Sequence, residues 1–172
     1  MAILNAEHLF EQADRLASPI LSGRPRQVDL RRAISAAYYG VFHFCLTAMA
    51  DEFVGTTRRA TRQYELIYRS VDHRTFRDVC DEACKLIPKQ PFKAYFPAGG
   101  LGPDIQAFSI AGVELQRQRH SADYAPLQRF QTRQAKLAIS TARSATHRFA
   151  VAPEENRKLF LTLLLCPPKA NR

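Results

Sequence analysis

The chain has 172 residues, 46% of them hydrophobic, which fits one domain of ordinary size and argues against wholesale disorder. Its uninterrupted apolar runs fall short of the roughly 18–20 residues that span a bilayer, and its amphipathic, acidic N-terminus is unlike a signal peptide, so we expect a cytoplasmic protein without a membrane segment. The net charge of +9 is concentrated in residues 105–172, where 11 Lys/Arg face 4 Asp/Glu, and it favours a polyanionic partner such as nucleic acid unless it serves solubility alone.

Helical periodicity covers nearly the whole chain, and no alternating strand pattern stands out. Asn5 is the predicted N-cap of the first helix, and Gly23 and Pro25 separate that helix from a long second one. Thr57 is the predicted cap of the third helix, and a short fourth helix follows His73. In this half of the chain we predict helices over approximately residues 5–19, 28–53, 57–69 and 75–86.

A long loop is predicted over residues 86–104, LIPKQPFKAYFPAGGLGPD, because this segment holds four prolines and three glycines. Its basic and aromatic side chains could stack on and pair with RNA. They could equally anchor the loop to the core. The residues in question are Lys89, Phe92, Lys93, Tyr95 and Phe96.

Asp104 is the predicted cap of the next helix, and Pro153 begins the last one, whose apolar run ends at Cys166. We therefore predict an all-α, up-and-down helical bundle of about five to seven helices. Residues 1–152 would form the bundle, and residues 153–172 a C-terminal helix and flexible tail that pack on the same domain. The helices predicted in this half cover approximately residues 104–124, 127–151 and 153–166.

Four cysteines are present, and two of them, Cys80 and Cys84, lie four residues apart on a predicted helix. No second Cys or His pair accompanies them, so they do not form a zinc motif. No set of His, Asp and Glu has spacing specific for a metal. We expect reduced, buried thiols and neither a metal nor a cofactor.

The second predicted helix contains the stretch RRAISAAYYGVFHFCL, which combines apolar stripes with many polar groups. Five of these polar side chains recur at steps of four residues and so climb one side of the helix. On a buried helix they need hydrogen-bond partners. They either satisfy polar groups of neighbouring helices or line a groove or a dimer seam. We call them the polar ladder: Arg31, Ser35, Tyr39, His43 and Thr47.

A second polar cluster lies in ELQRQRHSADYA, near the end of the helix that follows the long loop. Arg117, His120 and Tyr124 have the spacing of one helix face. Arg119 and Asp123 are four residues apart on the adjacent face and could form an ion pair. The pattern is consistent with a salt-bridged helix end on a basic protein, and equally with a site that acts on RNA.

Arginine and histidine together suit metal-independent RNA cleavage. A base would take the proton of the 2′-hydroxyl, and a cation would stabilise charge on the phosphorane. Arginine offers a permanent charge and a fork that fits phosphate oxygens, and histidine titrates near neutral pH. Arg69 and His73, four residues apart in YRSVDH, form a further candidate Arg–His pair.

Three segments in order resemble the HEPN superfamily of small α-helical bundles. RRAISAAYYGVFHF (31–44) is similar to the family's Arg–x–x–x–Ser–x–x–Tyr–Tyr–x–x–Phe–His helix. YRSVDHRTFRDVC (68–80) resembles the segment that follows, and LQRQRHSADYAP (115–126) resembles an Arg–x–x–Ala–Asp–Tyr helix end. The resemblance covers most of residues 5–150.

The resemblance implies a four- to five-helix bundle that usually forms a homodimer. Active members of the superfamily are metal-independent endoribonucleases of toxin–antitoxin and defence systems. Others bind nucleotide or RNA, or act as non-catalytic partners, for example of a nucleotidyltransferase-like antitoxin. The chain is therefore expected to act on RNA or nucleotide, with such an interaction role as the alternative; small-nucleotide binding would need a pocket near residues 86–104.

The resemblance also implies roles for single residues. The family's nuclease motif is an Arg followed, after four to six residues, by a His; here Tyr124 stands at that place after Arg119, and His120 follows Arg119 directly. In this assignment Arg117 and Arg119 hold phosphate, His120 is the general base, and Tyr124 positions the ribose or donates a proton. Asp123 and the polar ladder would face them.

Overall fold

The computed structural model describes residues 4–18 and 23–169, and all regular structure within these ranges is helical. The predicted all-α bundle is thus confirmed. Seven α-helices and two short 3-10 turns are formed in the described part of the chain. The α-helices are α1 (Ala6–Ala17), α2 (Gln27–Val54), α3 (Arg62–Tyr68), α4 (His73–Ala83), α5 (Gly102–Tyr124), α6 (Thr132–Val151) and α7 (Glu154–Leu165).

The long helix α2 is the centre of the bundle and packs against α1, α5 and α6, while α3 and α7 contact it as well. Tyr38, Val41 and Met49 of α2 are fully buried. Helix α1 approaches α2 closely at Gly40, since a Cβ atom there would collide with the ring of Phe10. The core therefore surrounds the middle of α2, the part of the chain that carries the polar ladder.

Two helix starts in the first half differ from the sequence prediction. Helix α3 begins later than expected: Gly55, at φ +101°, stops α2, a 3-10 turn follows, and the side chain of Thr61 rather than Thr57 caps α3. Helix α4 begins at His73, because Asp72 accepts a hydrogen bond from the backbone N–H of Thr75. The first helix ends at Ala17, and Pro19, its predicted end, lies outside the described residues.

Two further starts differ in the second half. Helix α5 begins at Gly102, and Asp104, the predicted cap, lies in its first turn and pairs with Arg148. Helix α6 begins at Thr132 rather than near residue 127, because Gln131 and Gln134 form a reciprocal capping box there. Residues 125–131, which we call the connector, join α5 to α6 without regular structure.

The last helix belongs to the same core. Phe160 of α7 is fully buried, and its ring lies 5.5 Å from that of Phe108 and 5.8 Å from that of Phe149. Helix α7 therefore packs on α5 and α6 through aromatic contacts. Residues 170–172 of the predicted tail lie outside the described residues.

Among the described residues, α2 alone is long and apolar enough to cross a bilayer, with a mean hydropathy of 1.3 over its best window. However, 72% of that window is buried inside the protein. A core helix of a soluble bundle has the same length and composition, so this test does not distinguish the two. The expectation that the chain has no membrane segment stays a prediction.

Candidate functional site

The first rung of the polar ladder fixes the connector to α2. The guanidinium of Arg31 donates hydrogen bonds to the backbone carbonyls of Ala122, at 2.6 Å, Ala125, at 2.8 Å, and Gln128, at 2.6 Å. Its cation also lies 5.4 Å from the centre of the Phe130 ring. Arg31 therefore uses both of its terminal nitrogens to satisfy carbonyls at the end of α5 and in the connector.

The middle rungs join α2 to the end of α5 through charged and neutral hydrogen bonds. Ser35 donates to Oδ1 of Asp123 at 2.6 Å, and Nη2 of Arg119 donates to the hydroxyl of Tyr39 at 2.6 Å. Nε of Arg119 lies 2.8 Å from Oδ2 of Asp123. That Nε is buried and is not aligned for a hydrogen bond, so this contact is an ion pair only. The predicted Arg119–Asp123 pair is thus present.

Arg119 is also surrounded by tyrosine rings. Its guanidinium carbon lies 5.9, 5.3 and 5.8 Å from the ring centres of Tyr38, Tyr39 and Tyr124. Burial alone lowers the pKa of Arg119, but the Tyr39 hydrogen bond and the charge of Asp123 outweigh it and raise the pKa. The side chain, 15% exposed, is therefore a permanent cation inside an aromatic cage.

Two histidines complete the polar core beside this cage. Nδ1 of His43 is hydrogen-bonded to the hydroxyl of Tyr68 at 2.7 Å, and Nδ1 of His73 to that of Tyr38 at 2.8 Å. Burial lowers the pKa of both histidines, and the charge of Arg119 lowers that of His73 further. The neutral form of both imidazoles is thereby favoured, and each has one ring nitrogen occupied.

An open pocket of about 420 Å³ lies over this network, between the start of α2 and the end of α5. Arg32, at its rim, is exposed and makes no ion pair or hydrogen bond with the described residues. The pocket thus has three cations: Arg31, bonded to backbone carbonyls, the caged Arg119, and Arg32, which is free of the described residues. We call it the tyrosine pocket; its lining includes Arg31, Arg32, Tyr39, Arg119, Asp123 and Tyr124.

A larger groove of about 660 Å³ lies between α5 and α6, but it offers less chemistry. Alanine, serine and threonine side chains form most of its wall. Its two charged residues are already paired, Glu114 with Arg117 and Arg148 with Asp104. We therefore place the candidate site in the tyrosine pocket.

Several predicted site residues do not converge on the pocket. Arg117 is exposed and forms a salt bridge with Glu114 at 2.7 Å. Arg69 pairs with Glu65 at 3.1 Å rather than with His73. No ion pair or hydrogen bond joins Arg69 to His73 among the described residues, and His73 is bonded to Tyr38 instead.

His120 is exposed and does not line the pocket itself, but its ring lies 5.0 Å from that of Tyr124, which does. Its position beside Tyr124 agrees with the predicted shared helix face. No other aromatic ring or carboxylate of the described residues contacts it. His120 is therefore free to reach a ligand bound in the tyrosine pocket.

Two residues at the site escaped the sequence prediction. Tyr38 packs its ring against Arg119 and His73, although it is not part of the polar ladder. Arg32 was not predicted as a site residue, since only Arg31 of this adjacent pair belongs to the polar ladder. Helical spacing puts the two arginines on different faces of the helix. The adjacent Tyr–Tyr and Arg–Arg pairs were the available signals. Two neighbouring side chains on a helix point in different directions, so the second member of each pair must contact something other than the first.

The described residues contain no group of three or more His, Cys, Asp or Glu placed to hold a metal. The cysteines are free thiols; Cys45 and Cys80 are buried as expected, whereas Cys166 is exposed. Burial raises the pKa of the half-buried Cys84 to about 11. None of these thiols lies at the tyrosine pocket.

No protein-family model, no curated protein and no solved structure matches the chain at a significant level. The functional assignment therefore depends on the geometry of the tyrosine pocket and on the chemistry of its side chains. These comprise a fixed cation among tyrosine rings, a free arginine, and an exposed histidine at the edge.

Proposed function

We propose that this protein is a HEPN-like helical bundle that binds RNA in the tyrosine pocket. The observation that carries the proposal is the linked set of Ser35, Asp123, Arg119 and Tyr39, which places a caged arginine beneath an open pocket between α2 and α5. A free arginine, Arg32, stands at the rim of the same pocket.

The chemistry of the pocket suits a nucleotide strand. Arginine guanidinium groups bind phosphate oxygens through paired N–H donors, and tyrosine faces accept stacked bases without selecting among them. The pocket offers Arg32 for the first purpose and the 63% exposed Tyr124 for the second. The net charge of +9 adds attraction to any polyanion.

The HEPN resemblance supports the same site. The serine and tyrosine of the first resembling segment, Ser35 and Tyr39, bond to the aspartate and an arginine of the third, Asp123 and Arg119. Residues of two separate resembling segments are therefore hydrogen-bond partners, although they lie 80 or more positions apart in the chain. The homodimer and the antitoxin-like protein partner remain predictions from the resemblance.

RNA binding is favoured over RNA cleavage because the buried charged and titratable groups already have partners within the protein. Arg119 already contacts Tyr39 and Asp123, and the neutral His73 has its Nδ1 occupied by Tyr38. Metal-independent endoribonuclease activity is the second candidate, and one observation favours it: the exposed His120 lies against Tyr124 at the edge of the pocket. His120 would take the 2′-hydroxyl proton, and Arg32 would stabilise charge on the phosphorane.

The test is RNA binding and RNA cleavage measured on the same protein in EDTA. We expect wild type to bind a mixed single-stranded RNA and Arg32→Ala to weaken that binding severalfold. Arg62→Ala should not, because it removes an exposed arginine beyond the other end of α2. Cleavage by wild type but not by His120→Ala would establish the ribonuclease role.

Two results would overturn the proposal. One is an absence of RNA binding by the wild-type protein at low salt. The other is equal binding by Arg32→Ala and Arg62→Ala, which would place any binding outside the tyrosine pocket. In that case the polar network would serve helix packing or a protein partner only.

A further inference from the structure

A second pocket lies beside the first, on a neighbouring face of the start of α2. It has a volume of about 400 Å³ and is formed where the segment before α2 meets the connector and the start of α6. Leu30 and Phe130 form an apolar floor, and Arg24, Thr132 and Arg133 stand around it. We call this the connector pocket. It shares no lining residue with the tyrosine pocket.

Hydrogen bonds between α2 and the connector fix the shape of the connector pocket. The side-chain amide of Gln27 donates to the carbonyl of Phe130 at 2.7 Å and accepts from its N–H at 2.9 Å. This two-way pair ties the first residue of α2 to the connector. With the Arg31 bonds to the carbonyls of Ala125 and Gln128, it fixes the wall between the two pockets.

The surface around both pockets is strongly basic. Residues 24–32 and 125–133 together hold six arginines and a single acidic residue, Asp29. Arg26 pairs with that aspartate at 2.9 Å, and Arg31 is committed to backbone carbonyls. The other four make no ion pair or hydrogen bond with the described residues: Arg24, Arg32, Arg129 and Arg133.

Because arginines line both pockets, a ligand with several phosphates along its length suits them better than a ligand with one phosphate. The two pockets are lined by neighbouring residues of the first turns of α2, Gln27 and Leu30 in one and Val28, Arg31 and Arg32 in the other. A mononucleotide cannot place phosphate in both, whereas a strand with a phosphate at every residue can. The first turns of α2 and α6 add partial positive charge at the same end of the molecule.

We propose that a single strand of RNA crosses the start of α2 from the tyrosine pocket into the connector pocket, where Arg24 and Arg133 bind its phosphates. This inference rests on the proposed function, because it assumes that RNA occupies the tyrosine pocket. It adds that the ligand is a polynucleotide strand, and it assigns a second phosphate site to residues outside the polar network.

The test compares ligands of two lengths by fluorescence anisotropy. One is a single-stranded RNA of about 12 nucleotides, within the usual site size of single-strand binders, and the other is a dinucleotide. We expect wild type to bind the longer RNA more tightly. Arg24→Ala/Arg133→Ala should lose most of that difference and weaken binding of the longer RNA far more than binding of the dinucleotide.

The matched control is Arg58→Ala/Arg62→Ala, which removes the same charge from two exposed residues just beyond the opposite end of α2. Loss of two phosphate contacts should reduce the slope of log affinity against log salt by about 1.4 for a single strand. The control variant should keep the wild-type slope, because it alters the net charge without touching either pocket.

The outcomes separate the two proposals. If Arg24→Ala/Arg133→Ala matches the control while Arg32→Ala weakens binding, this inference fails and the proposed function stands. If only Arg24→Ala/Arg133→Ala weakens binding, the tyrosine pocket fails as the RNA site. If poly-glutamate competes as strongly as RNA at equal charge, the ligand is an acidic peptide and the RNA inference is overturned.

Discussion

Asp123 shows why a buried helix keeps a column of polar side chains. Its side chain is 21% exposed and lies beside that of Arg119, which is 15% exposed. Taking such charges out of water is costly unless they are paired and hydrogen-bonded. Ser35 and Tyr39 supply those bonds from α2. Ser35 and Tyr39 therefore satisfy groups of α5, whereas His43 of the same ladder bonds to Tyr68 of α3.

The histidines His43 and His73 should make the protein less stable as the pH falls below about 6.5, the usual pKa of histidine. Burial lowers the pKa of each in the folded state, so the unfolded chain binds more protons in this range. Stability present above pH 6.5 is then lost as the pH falls towards the lowered values. Urea unfolding between pH 7.5 and 5.5, values chosen to bracket about 6.5, measures this loss.

The corresponding variant is His43→Gln/His73→Gln, which should be less stable at neutral pH but show a flatter dependence of unfolding free energy on pH. His147→Gln removes an exposed imidazole and should keep the wild-type dependence. A double variant that loses stability with falling pH as steeply as wild type would contradict the assignment to His43 and His73.

Local spacing was sufficient for contacts within one helix and insufficient across helices. The Arg119–Asp123 pair follows from a separation of four residues and was predicted. The bond from Ser35 to Asp123 spans 88 positions, so no periodicity within either helix specifies it. Arg69 shows the converse: its spacing fits both Glu65 and His73, and only the position of Tyr38 decides that His73 is engaged elsewhere.

The crossing of helices α1 and α2 depends on Gly40. We expect Gly40→Ala to destabilise the protein by about 1–3 kcal/mol, because the new methyl group would collide with the ring of Phe10. Helix propensity alone predicts the opposite sign, a gain of up to about 1 kcal/mol for alanine. Urea denaturation of the two proteins decides between the two effects.

A double-mutant cycle provides the control for this contact. In a Phe10→Leu background the flat ring is gone, so Gly40→Ala should cost clearly less than in wild type. An equal cost in both backgrounds would mean that Gly40 is needed for a reason other than the approach of α1.

Helix identity was easier to predict than helix boundaries. Every predicted helix exists, but α6 begins five residues after the predicted start, since the connector is held in irregular form by Gln27 and Arg31 from another helix. Apart from the Gln131–Gln134 capping box, residues 127–131 have no local signal that would delay the helix after Pro126. The tertiary contact overrides the local preference there, and the same contact builds the connector pocket.

In the molecule as a whole, the candidate binding groups lie at one end of α2. Both polar pockets and the four free arginines lie at its start. Sequence composition indicated a basic C-terminal half, yet the basic end combines residues 24–32 with residues 125–133. These two basic segments form one surface only because α2 packs against the end of α5 and against the connector.

Helix α7 should unfold together with the bundle rather than as an appendage. Phe160 is fully buried against Phe108 and Phe149. Phe160→Ala should therefore lower the free energy of unfolding by about 3–5 kcal/mol, with one transition and an unchanged denaturant slope. Phe53→Ala, at a position 37% exposed on α2, should cost much less. Two separate transitions, or a cost for Phe160→Ala no larger than for Phe53→Ala, would show instead that α7 adds little to the core. A single transition would mean that the helix after residue 152 and the pocket-bearing helices α2 and α5 fold as one unit.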